Sequence, residues 1–293
     1  MNFEVLNLRM FRSGGNGDLY LGQRSDTDEW VVVKFLREYH LAHCRKAFAR
    51  EVRVLLRKSR GMIPLLAWNL AVERPFYVMP YLEGGPLSHY AGRLVSTQLQ
   101  QVAENLAMTL ANLHTALDLH GDFKPDNVLL TKQGLLQVAD PLGNGTLFTI
   151  LFSENRGGTP GYMAPEIMAG GTISRASDVY SYGATIYHLL TGKVPQHVQR
   201  FDPASEGGGY EPRICELVTT CCDPNPGARP TMQEVLQMLS GKSWATIRES
   251  RKQHEEFVKT ACVFGGACFS RRWISEESAG KYITQRRRHF FEL

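Results

Sequence analysis

The chain changes from a strand-like to a helix-like sequence pattern at a glycine- and proline-rich stretch, Leu82–Pro86. Before it, short apolar runs alternate with turns, as in a β-sheet, and one segment, about residues 41–58, repeats apolar residues at helical spacing. After it the helical period dominates, with predicted helices from Ser96 or Thr97, as the cap, to about residue 117 and at 178–191, 214–222 and 232–239. This order predicts an α+β fold with two lobes, β-rich first and mainly helical second.

Length and composition allow two lobes and exclude other classes. The 293 residues are 43% apolar, which suffices for two cores and excludes a disordered chain. No apolar run reaches the roughly 18 residues that cross a bilayer, and the first residues lack a signal-peptide pattern, so we expect a cytoplasmic protein without a transmembrane span. The six cysteines lack metal-ligand spacing and are expected to be reduced thiols.

The net charge of +4 comes from the C-terminal end. Residues 1–240 hold 22 basic and 23 acidic side chains, whereas residues 241–293 hold 11 and 6. Such a basic segment, which includes Arg286–Arg288, could bind an acidic partner or an anionic surface. The alternative is a solvated extension.

A glycine-rich turn precedes a lysine in the middle of an apolar strand. The turn, Ser13–Gly17, has little side-chain bulk, so its backbone N–H groups could approach an anion; an ordinary hairpin turn is the alternative. Lys34 lies within the apolar run Val31–Phe35, where an unpaired ammonium is costly to bury. Glu51 on the predicted helix could supply one negative partner and a bound phosphate the other, unless Lys34 is an edge-strand lysine in water.

The densest polar cluster is HGDFKPDN, residues 120–127. Asp122 could accept a proton from a hydroxyl nucleophile, and Lys124 could neutralise charge on a phosphoryl group in transfer. Asn127 offers a neutral oxygen to a hard cation such as Mg²⁺. Two short predicted strands joined by a tight turn follow, so Asp140 should return close to Asn127 and complete a cation site. The alternative is a polar loop without chemistry.

These pieces, in this order, resemble the eukaryotic-type (Hanks-type) Ser/Thr protein kinase family and, within it, soluble bacterial members. Downstream, residues 158–166 (GTPGYMAPE) look like the end of an activation segment. Asp178 resembles the aspartate that braces the catalytic loop, and Arg229 the arginine that pairs with Glu166. The resemblance covers about residues 1–240.

The resemblance implies a two-lobed kinase domain with a defined site. Its N-lobe would span about residues 1–82 and its C-lobe about 83–240, followed by the basic extension 241–293, whose role stays open. The implied activity is transfer of the ATP γ-phosphoryl group to Ser or Thr hydroxyls of a protein substrate, with Mg²⁺. The implied catalytic residues are Asp122 and Lys124, the metal ligands Asn127 and Asp140, and the ATP-binding residues Gly14, Gly15, Asn16, Gly17, Leu19, Val32, Lys34, Glu51, Met79, Pro80, Leu82 and Leu129.

Three positions depart from the family pattern. Arg12 replaces the first loop glycine, Pro141 and Leu142 replace the Phe and Gly after Asp140, and Gly121 replaces the Arg before Asp122. Without that arginine, which binds a phosphorylated activation segment in the family, the chain is expected to be of the non-RD type. We expect autophosphorylation, but no need for it at Thr146, Thr149 or Ser153.

Two other functions compete with this one. A pseudokinase or scaffold would bind nucleotide without efficient transfer, and Pro141-Leu142 and Arg12 favour it. A small-molecule kinase of related fold, such as an aminoglycoside phosphotransferase, would lack a segment like residues 158–166.

Overall fold

The computed structural model describes residues 3–13, 17–142, 160–196 and 209–266. The chain divides into two compact units, Met1–Trp244 and Ala245–Leu293. Thr146, Thr149, Ser153, Thr159 and Arg286–Arg288 lie outside the described residues. In the described ranges no helix combines the length and apolarity that a membrane span requires.

The first lobe is an antiparallel five-stranded sheet in the order β1-β2-β3-β5-β4. Its middle strand carries three consecutive valines, Val31–Val33, which are all buried, because β-branched side chains pack well on a sheet covered on both faces. The strands are β1 (Val5–Ser13), β2 (Asp18–Arg24), β3 (Trp30–Phe35), β4 (Ala67–Asn69) and β5 (Phe76–Pro80).

One helix, α1 (Ala42–Leu56), packs against this sheet. Its buried side chains include Phe48, Glu51 and Val52, and the ring of Phe48 stacks on Tyr77 of β5 with centroids 5.3 Å apart. The helix ends at Leu56, whose side chain is 37% exposed.

The second lobe is built around a helix that is buried on nearly all sides. The helices are α2 (Ser96–Thr115), α3 (Pro165–Met168), α4 (Arg175–Thr191), α5 (Pro212–Cys221) and α6 (Met232–Leu239). Helix α4 is the central one, and Gly183 lets α5 approach it: a Cβ there would lie 2.7 Å from Cys221 Cβ. Helix α7 (Trp244–Gly266) supplies the described part of the second unit. The predicted α+β fold with a β-rich and a helical lobe is confirmed.

One local prediction, the cap of α2, needs correction. Neither Ser96 nor Thr97 caps α2; Val95 precedes its first turn, and the backbone N–H of Val95 donates to Gln98 Oε1 at 3.2 Å. The stretch Leu82–Pro86 is partly a strand, because Gly85 pairs with Leu130.

A small sheet connects the lobes to the site. Its strands are β6 (Gly85–Pro86), β7 (Val128–Leu130) and β8 (Leu136–Val138), in that order. The turn after α1 binds β8 twice: Ile63 N–H donates to the Val138 carbonyl, and Val138 N–H to the Gly61 carbonyl, both at 2.8 Å. The end of α1 is thereby fixed to the hairpin that leads to Asp140.

The predicted pair of Arg229 with Glu166 is confirmed. Two parallel bonds join them, Nη1 to Oε1 at 2.7 Å and Nη2 to Oε2 at 2.8 Å, and the Arg229 side chain has no exposed surface. Arg229 also donates to the carbonyls of Asp223 and Ala176. One guanidinium therefore ties the segment at α3 to the turn before α6.

We expect Arg229→Met to lower the free energy of unfolding by about 3 kcal/mol, because it leaves Glu166 and two carbonyls without their donor. Urea denaturation followed by circular dichroism measures this. Lys132→Met, which removes an exposed partner of Glu83, is the control and should leave the midpoint unchanged. Equal midpoints for the two variants would contradict the prediction.

Candidate active site

A buried lysine joins three elements at the centre of the site. The Lys34 ammonium lies 2.6 Å from Glu51 Oε1 and 2.9 Å from Asp140 Oδ1. Lys34 and Glu51 are 2% and 4% exposed, whereas the Asp140 side chain is 32% exposed. Strand β3, helix α1 and the segment after β8 therefore meet at one charge.

Tyr77 is a fourth member that the sequence analysis missed. Its hydroxyl donates to Glu51 Oε1 at 2.6 Å and lies 3.3 Å from Asp140 Oδ1. It stands opposite Lys34 in the β3–β5 register and is fully buried. The signal was a tyrosine in the middle of an apolar strand, where a buried hydroxyl needs a partner.

Burial and mutual attraction set the charges of this cluster. Burial raises the pKa of Glu51 to about 7, against the attraction of Lys34. Burial alone would lower the pKa of Lys34, but Asp140 and Glu51 raise it above the ordinary value. Burial likewise opposes ionisation of Asp140, but Lys34 holds the pKa of Asp140 below the ordinary value. Lys34 and Asp140 are thus charged at neutral pH.

Asp122 is held by two donors from its own loop. Lys124 Nζ lies 2.8 Å from Asp122 Oδ2 and 3.1 Å from Oδ1. Asn127 Nδ2 donates to the Asp122 carbonyl at 2.8 Å and to Oδ2 at 3.0 Å. The carboxylate is therefore fixed in orientation and remains partly accessible.

A buried carboxylate, that of Asp178, holds the backbone of the loop that carries Asp122. Asp178, 1% exposed, accepts from the backbone N–H groups of His120 and Gly121, both at 2.8 Å, and lies 3.0 Å from His114 Nε2. The bracing role predicted for Asp178 is confirmed. Since backbone amides rather than side chains are bound, the path of the loop is fixed independently of its side chains.

The backbone conformation at position 121 and the side chains around it favour glycine. Its φ is +78°, which L side chains rarely adopt, and a Cβ would lie 2.8 Å from Ile173 Cδ1 and 3.2 Å from Leu142 Cβ. The departure from the family pattern is thus accommodated by the backbone as well as by the missing side chain.

The segment after β8 is fixed by three backbone contacts. The Ala139 N–H donates to the Asn127 carbonyl at 2.8 Å, His120 Nε2 to the Ala139 carbonyl at 3.0 Å, and the Leu142 N–H to the His120 carbonyl at 2.7 Å. Between them Asp140 adopts φ +56°, a conformation that costs a non-glycine residue about 1 kcal/mol or more. Pro141 and Leu142 therefore permit the contacts that hold Asp140.

Asn127 and Asp140 each have a side-chain oxygen that is available to ligate a hard cation. Because the Asn127 amide nitrogen is committed to Asp122, its oxygen is left to accept, and both hydrogen bonds to Asp140 reach only Oδ1. Mg²⁺ typically takes one or two protein oxygens and completes its shell with phosphates and water. Over the described ranges no cluster of three or more His, Cys or acidic side chains forms a separate metal cage.

The predicted nucleotide-lining residues lie on adjoining strands. Leu19 is opposite Lys34, and Val32 is opposite Met79. Pro80 ends β5, Leu82 follows it, and Leu129 lies in β7. Gly17 packs on Phe35, since a Cβ would lie 2.5 Å from the Phe35 carbonyl oxygen, whereas Gly14, Gly15 and Asn16 lie outside the described residues.

Comparison with known proteins identifies the family. Residues 8–239 match the model of the protein kinase domain. The chain belongs to the protein kinase family. This kinase chain is 31% identical over 248 residues to the DNA damage-responsive serine/threonine-protein kinase RqkA of Deinococcus radiodurans, with 80% of the chain and 36% of that protein covered. It is 30% identical over 265 residues to serine/threonine-protein kinase PrkC of Bacillus subtilis, with 87% and 40% covered.

A third relative is serine/threonine-protein kinase Pkn1 of Myxococcus xanthus, 29% identical over 206 residues, with 64% of the chain and 29% of Pkn1 covered. The chain thus spans well under half the length of these relatives. Members of the family generally use ATP and Mg²⁺.

We expect His120 to make the kinase fold acid-sensitive. Burial lowers the pKa of His120 below 6.5, and its Nδ1 accepts the Asp122 N–H at 3.3 Å while Nε2 donates. The folded state therefore keeps the ring neutral where the unfolded state binds a proton. Its contribution to stability is complete above about pH 6.5 and is lost as the pH falls through the folded-state pKa.

The measurement is the free energy of unfolding at about pH 7.5 and about pH 5.5. His120→Phe should be less stable at the higher pH, because two polar groups lose partners, but should lose less on acidification than the unchanged chain. The exposed His89, replaced by Phe, is the control. If His120→Phe lost as much unfolding free energy between the two pH values as the unchanged chain, the role assigned to His120 would be refuted.

Proposed function

We propose that this chain is an active, non-RD serine/threonine protein kinase. The arrangement of Lys34 with Glu51 and Asp140 carries the proposal. A buried ammonium held by two carboxylates from different elements is a preorganised phosphate site. The names of its relatives support Ser or Thr as the acceptor.

The nucleotide side of the site would be held by five side chains. Lys34 would contact phosphate oxygens, while Glu51 and Tyr77 keep its ammonium in place. Asn127 and Asp140 would hold Mg²⁺, which supplies neutralisation of charge on the phosphates when bound with ATP.

Asp122 would orient the acceptor hydroxyl and take its proton. As the hydroxyl oxygen bonds to the γ-phosphorus, the bond from that phosphorus to the bridging oxygen of ADP breaks, and the proton passes to the Asp122 carboxylate. Lys124, already on that carboxylate, would neutralise the transferred group. Asn127 would prevent Asp122 from rotating.

A protein segment is the acceptor that the surroundings of Asp122 favour. A depression beside Asp122 is lined by Phe123, Tyr162, Ala164 and Ile167 and also by Ser177 and Ser181. Such a mixed lining next to the base suits a peptide side chain, which presents both apolar and hydrogen-bonding groups. The roles of the C-terminal extension and the location in the cytoplasm stay predictions.

We expect Asp122→Asn to lower transfer to a generic basic protein or to the chain itself by about 10² or more, because the base is lost. The measurement is incorporation of labelled phosphate from Mg-ATP, with mass spectrometry of the sites. Asp126→Asn, four positions on in the same loop, is the matched control, and chelation of Mg²⁺ should abolish transfer. Equal incorporation by the unchanged chain and Asp122→Asn would favour a pseudokinase.

We expect a triple alanine variant at Thr146, Thr149 and Ser153 to keep transfer within about threefold of the unchanged chain. The reason is that Gly121 offers no guanidinium to pair with a phosphate on that segment. Loss of activity in a variant that still folds, judged by circular dichroism, would contradict this prediction.

A further inference from the structure

A buried carboxylate stands at the foot of the glycine-rich turn, outside the set of site residues described above. Asp18 is the first residue of β2 and is 8% exposed. Its Oδ1 accepts from Ser13 Oγ at 2.7 Å and from Arg37 Nε and Nη2 at 3.1 and 2.9 Å. Its Oδ2 accepts from Arg74 Nη2 at 2.6 Å.

These contacts tie the two ends of the turn to the interior strands. Ser13 and Asp18 are the pair that closes the β1–β2 hairpin, and Asp18 also stands opposite Phe35 of β3. Arg37 comes just after β3 and also donates to Ser13 Oγ. Arg74 comes just before β5, donates to the Leu36 carbonyl at 3.2 Å and covers the Phe35 ring at 5.1 Å.

Packing constrains the β1 side of the hairpin little. Strand β1 is an edge strand whose residues after Val5 are exposed. Gly17 nevertheless lies against the phosphate-binding lysine, because a Cβ on it would be 3.2 Å from Lys34 Cγ. A small shift at Asp18 would therefore change the distance between Gly17 and Lys34.

We propose that Asp18, clamped by Arg37 and Arg74, is a positioning residue that holds Gly17, the described end of the glycine-rich turn, at its distance from Lys34. It acts on the affinity for ATP and leaves the chemical step alone. The proposal rests on the proposed function in one respect, namely that the turn binds the phosphates of ATP.

Two variants separate positioning from simple electrostatics. Asp18→Asn removes a negative charge, and the double variant Arg37→Gln/Arg74→Gln removes two positive charges, so a direct effect of charge on ATP would have opposite signs. A positional effect has the same sign in both, because each variant opens the clamp. Asp26→Asn is the matched control, since its carboxylate pairs with Arg24 at the other end of β2, at 2.8 Å.

The experiment measures kcat and KM for ATP and for a peptide substrate, together with the Kd of Mg-ATP by calorimetry, on the full chain. We expect both clamp variants to raise KM and Kd for ATP about tenfold, which equals about 1.4 kcal/mol, with kcat and the peptide KM within about twofold. The control should match the unchanged chain. The Arg37 and Arg74 side chains are 42% and 35% exposed, more than Asp18, so the double variant remains informative if Asp18→Asn folds poorly.

The proposal is overturned by an unchanged Kd for ATP in both clamp variants, by shifts of opposite sign, or by a fall in kcat at constant KM. If the unchanged chain binds Mg-ATP but transfers no phosphate, the proposed activity fails while the Kd comparison still decides the role of Asp18.

Discussion

The rest of the site depends on the cost of burying one ammonium group. Lys34 is almost completely buried, and an unpaired charge at that position would cost several kcal/mol. Glu51 and Asp140 remove this cost only if helix α1 and the segment after β8 take up their observed positions. The pairing therefore fixes how the sheet, the helix and the β7–β8 hairpin lie around the cleft, and the contacts of Gly61 and Ile63 with β8 reinforce it.

A second constraint acts through backbone groups. Asp178 holds the loop before Asp122 by two amide hydrogens, and His120 connects that loop to the Ala139 carbonyl. Asp122 and Asp140 are thus held in fixed positions relative to each other, although they are 18 positions apart in the sequence. Chemistry that needs both a base and a cation ligand benefits from this, because their relative positions do not depend on loop flexibility.

Much of this arrangement could be predicted from the sequence, and the exceptions have physical reasons. The cost of a charge in an apolar strand predicted a partner for Lys34, and the tight turn after Leu130 predicted the return of Asp140. Tyr77 was missed because strand periodicity predicts burial but gives no information about a hydroxyl. The clamp at Asp18 was missed because its arginines come from loops 19 and 56 residues away, and only the strand register brings them together.

The surroundings of Gly121 have an evolutionary consequence. Arginine at this position would have to adopt φ +78° and displace the Ile173 methyl beside Leu142, at a cost of about 1 kcal/mol or more. A single replacement of Gly121 would thus lower stability. Position 121 is therefore coupled to positions 142 and 173, so a larger side chain at 121 requires compensating substitutions at Leu142 and Ile173.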